Sequence, residues 1–162
     1  MEAYLDSKMT EIRQATLEDL PEITSIFRDT ITEINAKDYS EEQIKVWASG
    51  ADDIGKWTER IKKFYFIVAE IDTTISGFAY LKNGNYFDGL FVHKDYQHQG
   101  IASKLMRIIE SQVMMNGFEI VKSDVIITAL PFFDNRDYSA IKKQKKNFKG
   151  LVFENYVVEK EL

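Results

Sequence analysis

Residues Tyr86 to Met115 read YFDGLFVHKDYQHQGIASKLMRIIESQVMM and predict a strand, a polar loop and a helix in immediate succession. The segment up to Val92 is mostly apolar and rich in β-prone residues, and the helix opens with the small residues Gly100 and Ala102. The first N–H groups of a helix have no partner within the helix, so they attract anions. Small residues let a phosphate approach that backbone closely. The sequence therefore predicts a phosphate site at the start of this helix.

The elements on either side of this segment complete a mixed α and β pattern. Residues 1–10 are polar and predict a loose lead-in. Apolar residues three and four apart predict helices over 17–35 and 40–49, and a third beginning near Ile54. The dipeptide Asn83-Gly84 is typical of a hairpin turn, and Pro131 opens a short helical turn. Runs of β-prone or alternating residues predict strands at 11–15, 64–71, 74–82, 85–93, 121–129, 138–146 and 151–159. We therefore predict one α/β (α+β) domain spanning residues 1–162.

The amino-acid composition argues against several classes of protein. The chain has 162 residues, of which 44% are hydrophobic, so it is long enough to bury a core and does not resemble a disordered chain. It contains no cysteine, which removes disulfides and thiolate chemistry and is compatible with a reducing cytoplasm. A net charge of −5 disfavours nucleic acid as a partner. No apolar run or leader-like core predicts a membrane span or secretion, so we expect a cytoplasmic location.

The loop and the start of the helix resemble a known phosphate-binding motif. The pattern Gln97-x-x-Gly100-x-Ala102 is similar to the pyrophosphate-binding motif of the GNAT superfamily of N-acetyltransferases. Leu90-Phe91-Val92 resembles the splayed central strand of that family, and residues 39–47 resemble a branch of small bacterial acetyltransferases. The resemblance covers essentially the whole chain. It implies a mixed, mostly antiparallel central sheet flanked by helices, with acetyl-coenzyme A as co-substrate and no metal.

The same resemblance assigns residues to the coenzyme. A backbone N–H of Phe91 or Val92 would stabilise negative charge on the thioester oxygen, a contribution of about 3–4 kcal/mol. The other backbone groups of this strand would pair with the pantetheine arm. Ser103 in the first helical turn would bond a phosphate or cap a backbone group. The residues predicted to bind the coenzyme are Leu90, Phe91, Val92, Gln97, His98, Gln99, Gly100, Ile101, Ala102, Ser103 and Phe132.

Catalysis of amine acetylation also needs a proton acceptor. An alkylamine must lose a proton at a cost of about 4–5 kcal/mol at neutral pH, and a general base contributes about 10²–10⁴-fold. The candidates are Asp88 and then Tyr86, which alternation places on one face of a strand, with His93 ranked below them. A solvated surface role for Asp88 and a chain of water molecules as the base are the alternatives. Phe133 occupies a position where many members of the family carry a tyrosine that reprotonates the departing thiolate.

Several groups of residues have both a functional and a structural interpretation. Tyr39, Trp47 and Trp57 could line an acceptor pocket or belong to the core. The lysines at 142–149 could attract a phosphate or form a charged hairpin. His93 and His98 with nearby aspartates fit no usual metal-ligand spacing.

Our leading hypothesis is an N-acetyltransferase that moves acetyl from acetyl-coenzyme A directly to a primary amine in a ternary complex. The amine would be carried by a small molecule or a peptide, and a homodimer is possible. The alternatives are a module that senses acyl-coenzyme A with little transfer activity, and an interaction domain.

Overall fold

The structure is a computed structural model that describes residues 10–162, so all of the polar lead-in predicted at residues 1–10 lies outside the described residues except Thr10, which begins the first strand instead. One seven-stranded sheet forms the centre of the molecule, with the strand order β1-β2-β3-β4-β5-β7-β6. All neighbouring strands are antiparallel except β4 and β5, which are parallel. The predicted fold class, a mixed and mostly antiparallel sheet flanked by helices, is confirmed. The strands are β1 (Thr10–Gln14), β2 (Tyr65–Ile71), β3 (Thr74–Lys82), β4 (Tyr86–Val92), β5 (Ile120–Val125), β6 (Ser139–Phe148) and β7 (Leu151–Glu161).

Five α-helices accompany the strands in the part of the chain that the structure describes. They are α1 (Leu20–Asp29), α2 (Glu41–Ala48), α3 (Ile54–Lys63), α4 (Ile101–Met115) and α5 (Leu130–Asp134). A capping box is present at the start of α2, where the Ser40 hydroxyl accepts from the N–H of Gln43 and the Gln43 side chain accepts from the N–H of Ser40. Gly117, with φ of 88°, follows the last turn of α4, a position where glycine commonly ends a helix.

Two predicted elements differ from the structure. The helix predicted over 17–35 is divided into a 3₁₀ turn at Leu17–Asp19, the α-helix α1 and a π-helical turn at Thr30–Ile34. Helical spacing alone does not distinguish these forms, because each keeps the apolar side chains on one face. The strand predicted over 121–129 ends at Val125, since the chain then turns into α5 through the backbone hydrogen bond from Ala129 to Ile126.

The two faces of the sheet carry two separate cores. On one face, α4 packs Leu105, Ile109 and Val113 against the sheet, and all three are fully buried. On the other face, the helices α1 and α3 supply Ile23 and Trp57, each with 0% of its surface exposed, against β2 and β3. Burying a large apolar side chain contributes about 1.5–3 kcal/mol, so both faces stabilise the position of β4 between them.

Strand β4 is irregular at its centre. Tyr80 of β3 pairs with Gly89 and Leu81 pairs with Phe87, which leaves Asp88 without a partner. This is a β-bulge, which bends a strand and redirects the side chain at that position. The ring of Tyr80 lies directly over Gly89, where an added Cβ would come within 2.1 Å of it. A residue without a side chain is therefore required beside Asp88.

Replacing Gly89 tests the close approach of this ring. We expect Gly89→Ala to lower the free energy of unfolding by about 1–3 kcal/mol, because Tyr80 must move within a packed core. The matched control is Gly55→Ala in α3, where the nearest atom to an added Cβ is 3.9 Å away. This control should leave stability unchanged or raise it by about 0.5–1 kcal/mol, because alanine favours a helix. Urea denaturation of both variants measures the difference, and equal stability of the two would contradict the packing described here.

Candidate active site

A gap opens between β4 and β5 in the middle of the sheet. The two strands pair in parallel at one position, Tyr86 with Lys122, and then diverge. The N–H of His93 donates to the carbonyl of Ser76 in β3. Because backbone groups alternate in direction along a strand, every second residue of β4 bonds to β3, and the residues between them direct their N–H and carbonyl groups away from β3. By this alternation Phe91 bonds to β3, whereas the N–H groups of Leu90 and Val92 face the gap. Of the two oxyanion donors predicted, the geometry therefore favours Val92 over Phe91.

The start of α4 lies beside the end of this gap. Gly100 has φ of 80°, a conformation that side-chain-bearing residues rarely adopt, and it provides no side-chain cap for the helix. Nothing lies within 4 Å of the position where a Cβ would stand on it. The N–H groups of the first turn at 101–103 thus face open space without a cap. An uncapped helix start with room in front of it fits a phosphate group.

One large cavity connects the gap with the start of α4. Its volume is about 1130 Å³, and every residue predicted to bind the coenzyme lines it, from Leu90 to Val92, from Gln97 to Ser103, and Phe132. Asp88 also lines this cavity, whereas Tyr86 lies outside the lining. Tyr86 and Asp88 were predicted to share a face because side chains alternate along a strand. The bulge at Asp88 interrupts this alternation.

Two of the predicted phosphate-binding side chains make contacts within the protein that the sequence did not predict. The side-chain amide of Gln97 donates to the carbonyl of Val92 at 2.7 Å, and the hydroxyl of Thr30 donates to the same oxygen at 3.2 Å. These bonds hold the end of β4. The hydroxyl of Ser103 accepts from Arg136, at 2.7 Å from one nitrogen and 3.1 Å from another.

Arg136 is a residue of the cavity that sequence reasoning missed. Its guanidinium carbon lies 3.6 Å from the centre of the Phe132 ring, and one nitrogen donates to the carbonyl of Phe132 at 3.1 Å. Stacking and hydrogen bonding hold this cation next to the start of α4. The spacing of four residues between Phe132 and Arg136 was the available signal, because residues that far apart lie on one face of a helical turn.

Two carboxylates face the cavity from neighbouring strands, and their surroundings differ. Asp88 is open to solvent on the cavity side, but the cavity walls still desolvate its carboxyl group and raise its pKa, although the positive charge of Arg60 opposes the rise. Burial also acts to raise the pKa of Asp124, but hydrogen bonds from Tyr86 and Lys146 outweigh it and leave this pKa below its usual value. Lys146 lies 2.9 Å from Asp124. A carboxylate with a raised pKa is suited to exchange a proton nearer neutral pH, whereas one with a lowered pKa stays ionised.

The other candidates for a base are committed to local contacts. Burial and a hydrogen bond to Asp124 raise the pKa of the Tyr86 phenol well above its usual range, which makes it a poor proton acceptor near neutral pH. One ring nitrogen of His93 accepts from the N–H of Asp95 at 3.0 Å. Within residues 10–162 no group of histidine and acidic side chains is arranged to hold a metal ion.

The structure also shows where the residues lie for which the sequence allowed both a functional and a structural interpretation. Trp57 is a core residue, and its indole N–H donates to the carbonyl of Gly50 at 3.0 Å. Tyr39 and Trp47 line the cavity with their ring centres 5.3 Å apart. In the hairpin, Lys143 pairs with Glu154 at 3.1 Å, as expected for a charged surface. Phe133 is buried and packs edge-on against Tyr138, so no hydroxyl group is present at that point of the cavity wall.

Comparison with known proteins agrees with this geometry. Residues 35–160 match the family model of the acetyltransferase (GNAT) domain. The chain is 31% identical over 147 residues to the uncharacterized N-acetyltransferase YafP of Escherichia coli (strain K12), which covers 90% of this chain and 92% of that protein. The chain therefore belongs to the GNAT superfamily of N-acetyltransferases.

Solved structures show the same fold. A GCN5-related N-acetyltransferase from Rhodopseudomonas palustris superposes with a TM-score of 0.92 at 31% identity, covering 95% of this chain and 96% of that one. The PaiA N-acetyltransferase from Thermoplasma acidophilum, solved in complex with coenzyme A, has a TM-score of 0.77 at 20% identity and covers 94% and 99% of the two chains. None of the helices in residues 10–162 is long and apolar enough to cross a membrane.

Proposed function

We propose that this protein transfers an acetyl group from acetyl-coenzyme A to a primary amine by direct attack in a ternary complex. The observation that carries this proposal is the continuity of three features in one cavity: the gap beside β4, the uncapped start of α4 at Gly100, and a carboxylate at Asp88. Membership of the GNAT superfamily supports the same class of reaction. The absence of cysteine from the sequence agrees with direct attack, because the commonest acyl-enzyme nucleophile is missing.

The residues would hold the coenzyme in two places. The N–H groups of the first turn of α4, from Ile101 to Ser103, would bind the diphosphate, with Arg136 supplying a positive charge beside them. The backbone groups of Leu90 that face the gap would pair with the pantetheine arm, because the carbonyl of Val92 already accepts from Gln97 and Thr30. Holding two reactants in place in this way removes about 7–11 kcal/mol from the barrier.

Acetyl-coenzyme A would supply a thioester. The nitrogen of the acceptor takes the acetyl group as the C–S bond breaks, and the coenzyme would leave as its thiolate. In this proposal Asp88 accepts a proton from the ammonium group of the acceptor, and its raised pKa brings its basicity closer to neutral pH. The N–H of Val92 stabilises negative charge on the thioester oxygen. Tyr86 acts on Asp124 rather than on the substrate, because its hydroxyl is bound to that carboxylate.

A second candidate is a protein that binds acyl-coenzyme A as a sensor and transfers little. The observation that favours it is Phe133, which leaves no hydroxyl to protonate the thiolate at that position. A cytoplasmic location, a single domain and a possible homodimer remain predictions from the sequence.

Binding and turnover distinguish these candidates. We expect acetyl-coenzyme A at saturating concentration to raise the melting temperature, and release of free thiol to depend on an added amine. Stabilisation without thiol release across a panel of amines would favour the sensor. No stabilisation at all would eliminate both.

A further inference from the structure

Helix α3 presents two positive charges to the cavity. Lys56 and Arg60 lie four residues apart, so they share one face of the helix, and both line the cavity. Two like charges at this spacing destabilise a helix. Across the described residues, neither side chain forms an ion pair or a hydrogen bond with the protein. Neither ion pairing nor helix stability therefore accounts for the two charges on this face.

The guanidinium group of Arg60 is held by rings rather than by acids. It lies 4.4 Å from the ring centre of Trp57 and 5.7 Å from that of Tyr80, both of which are buried. Stacking on aromatic faces fixes the plane of the group while its N–H donors stay available. Its charge is felt by Asp88, the proposed base, but no salt bridge joins the two.

This cationic pair is separate from the phosphate site. Trp57 and Tyr80 belong to the core on the face of the sheet that α1 and α3 cover. The start of α4 belongs to the opposite face, where Ile101 and Leu105 pack. An anion bound at Arg60 would therefore not be the diphosphate of the coenzyme.

The charge of the cavity also differs from that of the whole protein. The chain carries a net charge of −5. Lysine and arginine nevertheless outnumber aspartate and glutamate in the cavity lining, which contains Lys37, Lys56, Arg60, Lys94, Arg136, Lys146 and Lys149 against Asp53, Asp88, Asp124 and Glu154. Lys94 is paired with Asp29 and Glu33 outside the lining, and the diphosphate proposed beside Arg136 would use part of the remaining excess. The charge of the cavity therefore agrees with an anionic ligand, and it is Arg60 and Lys56 that favour a second anion.

From these observations, and resting on the proposed function, we infer that the acceptor is a small amine that also carries an anionic group, as an amino acid does. Arg60, with Lys56 beside it, would bind the carboxylate or phosphonate, since a planar guanidinium matches the geometry of such oxyanions. The amine of the same molecule would then lie toward Asp88.

The test compares acid-bearing amines with neutral counterparts. The panel contains glycine, β-alanine, 4-aminobutyrate and the proteinogenic L-amino acids, each paired with its methyl ester, together with 2-aminoethylphosphonate. We expect at least one acid to exceed its ester about 10-fold or more in kcat/KM, because a hydrogen bond to a charged group is stronger than one to a neutral group. Comparison of carboxylates with the phosphonate identifies the kind of anion.

A pair of variants assigns the effect to Arg60. We expect Arg60→Met, which keeps an unbranched stem against Trp57, to lower kcat/KM for the preferred acid about 10- to 100-fold and for its ester less than about 3-fold. The control is Lys62→Met, an exposed cation on the same helix outside the cavity lining, which should change neither value. Equal turnover of acids and esters, or equal losses for both in Arg60→Met, would overturn the inference and leave acetyl transfer intact.

A binding measurement separates this inference from the proposed function. If acetyl-coenzyme A binds but no amine is acetylated, the proposed function fails. The binding of an anionic amine at Arg60 can then still be tested, through the melting temperature of the protein saturated with coenzyme A. The acids of the panel must raise this melting temperature in the unmodified protein but not in Arg60→Met. If they do not raise it, the inference is overturned as well.

Discussion

Gly100→Glu is expected to abolish binding of acetyl-coenzyme A, with a loss of affinity of at least about 100-fold. The new side chain would fill the open space in front of α4 and bring a negative charge to the place proposed for the diphosphate. Each hydrogen bond to a charged group contributes about 1.5–3 kcal/mol, so losing two of them is sufficient for a change of this size. Isothermal titration calorimetry with coenzyme A measures the effect.

The other end of the same helix provides a matched control for this variant. Gly117 has φ of 88°, close to the 80° of Gly100, and an added Cβ would also meet nothing within 4 Å. Gly117→Glu therefore carries a similar backbone penalty of about 1–2 kcal/mol but lies far along α4 from the cavity. We expect it to bind the coenzyme with unchanged affinity. Comparable binding by both variants would show that the phosphate site has been assigned to the wrong place.

Asp88→Asn is expected to lower kcat/KM about 10²- to 10⁴-fold with little change in coenzyme binding. Asparagine keeps the size of the side chain and removes its basicity, so the loss corresponds to the contribution of a general base. In the unmodified protein the rate should rise with pH as Asp88 loses its proton, at a pH above the usual range for aspartate because its pKa is raised. The variant should lack this part of the pH profile.

The stability of the protein gives an independent test of the raised pKa of Asp88. A carboxyl group whose pKa is raised by folding contributes stability while it is protonated, and that contribution is lost as the pH rises through its folded pKa. At neutral pH the ionised Asp88 is therefore a cost to the fold. We expect Asp88→Asn to melt at the same temperature as the unmodified protein or above it. A large drop in melting temperature would indicate a structural role instead.

Asp124→Asn distinguishes the two carboxylates of the cavity. Asp124 is held in its ionised form by Lys146 and Tyr86, so it is poorly suited to accept a proton. Its replacement should lower the melting temperature, since a depressed pKa means that ionised Asp124 stabilises the fold above the usual aspartate pKa. If Asp124→Asn removed the pH dependence and Asp88→Asn did not, the base would have to be reassigned.

The sequence predicted those parts of the fold that are determined by residues close together in the chain. Asn83 and Gly84 adopt positive φ values of 54° and 86° and form the expected hairpin turn. The strand, loop and helix around Gly100 were also predictable, because apolar periodicity and small residues act locally. The π-helical turn at Thr30–Ile34 was not, since its residues keep the same apolar pattern as an α-helix.

The parts of the site that depend on distant contacts could not be read from one sequence. The bulge at Asp88 lies next to Gly89, where the ring of Tyr80 on another strand occupies the space of a side chain. Arg60 appears in the sequence as one of several cations on a polar helix, and its contact with Tyr80 on a strand and its place in the cavity lining distinguish it. Long-range packing thus determines the proposed acceptor side of the cavity, whereas local signals determine most of the proposed coenzyme side.

The short contact between β4 and β5 has a mechanical consequence. Since the two strands pair only around Tyr86 and Lys122, the sheet consists of two half-sheets joined at a narrow seam. A ligand that pairs with the free edge of β4 would lengthen that seam and couple the halves. Amide deuterium exchange at Leu90 and Val92 would then slow when the cavity is filled.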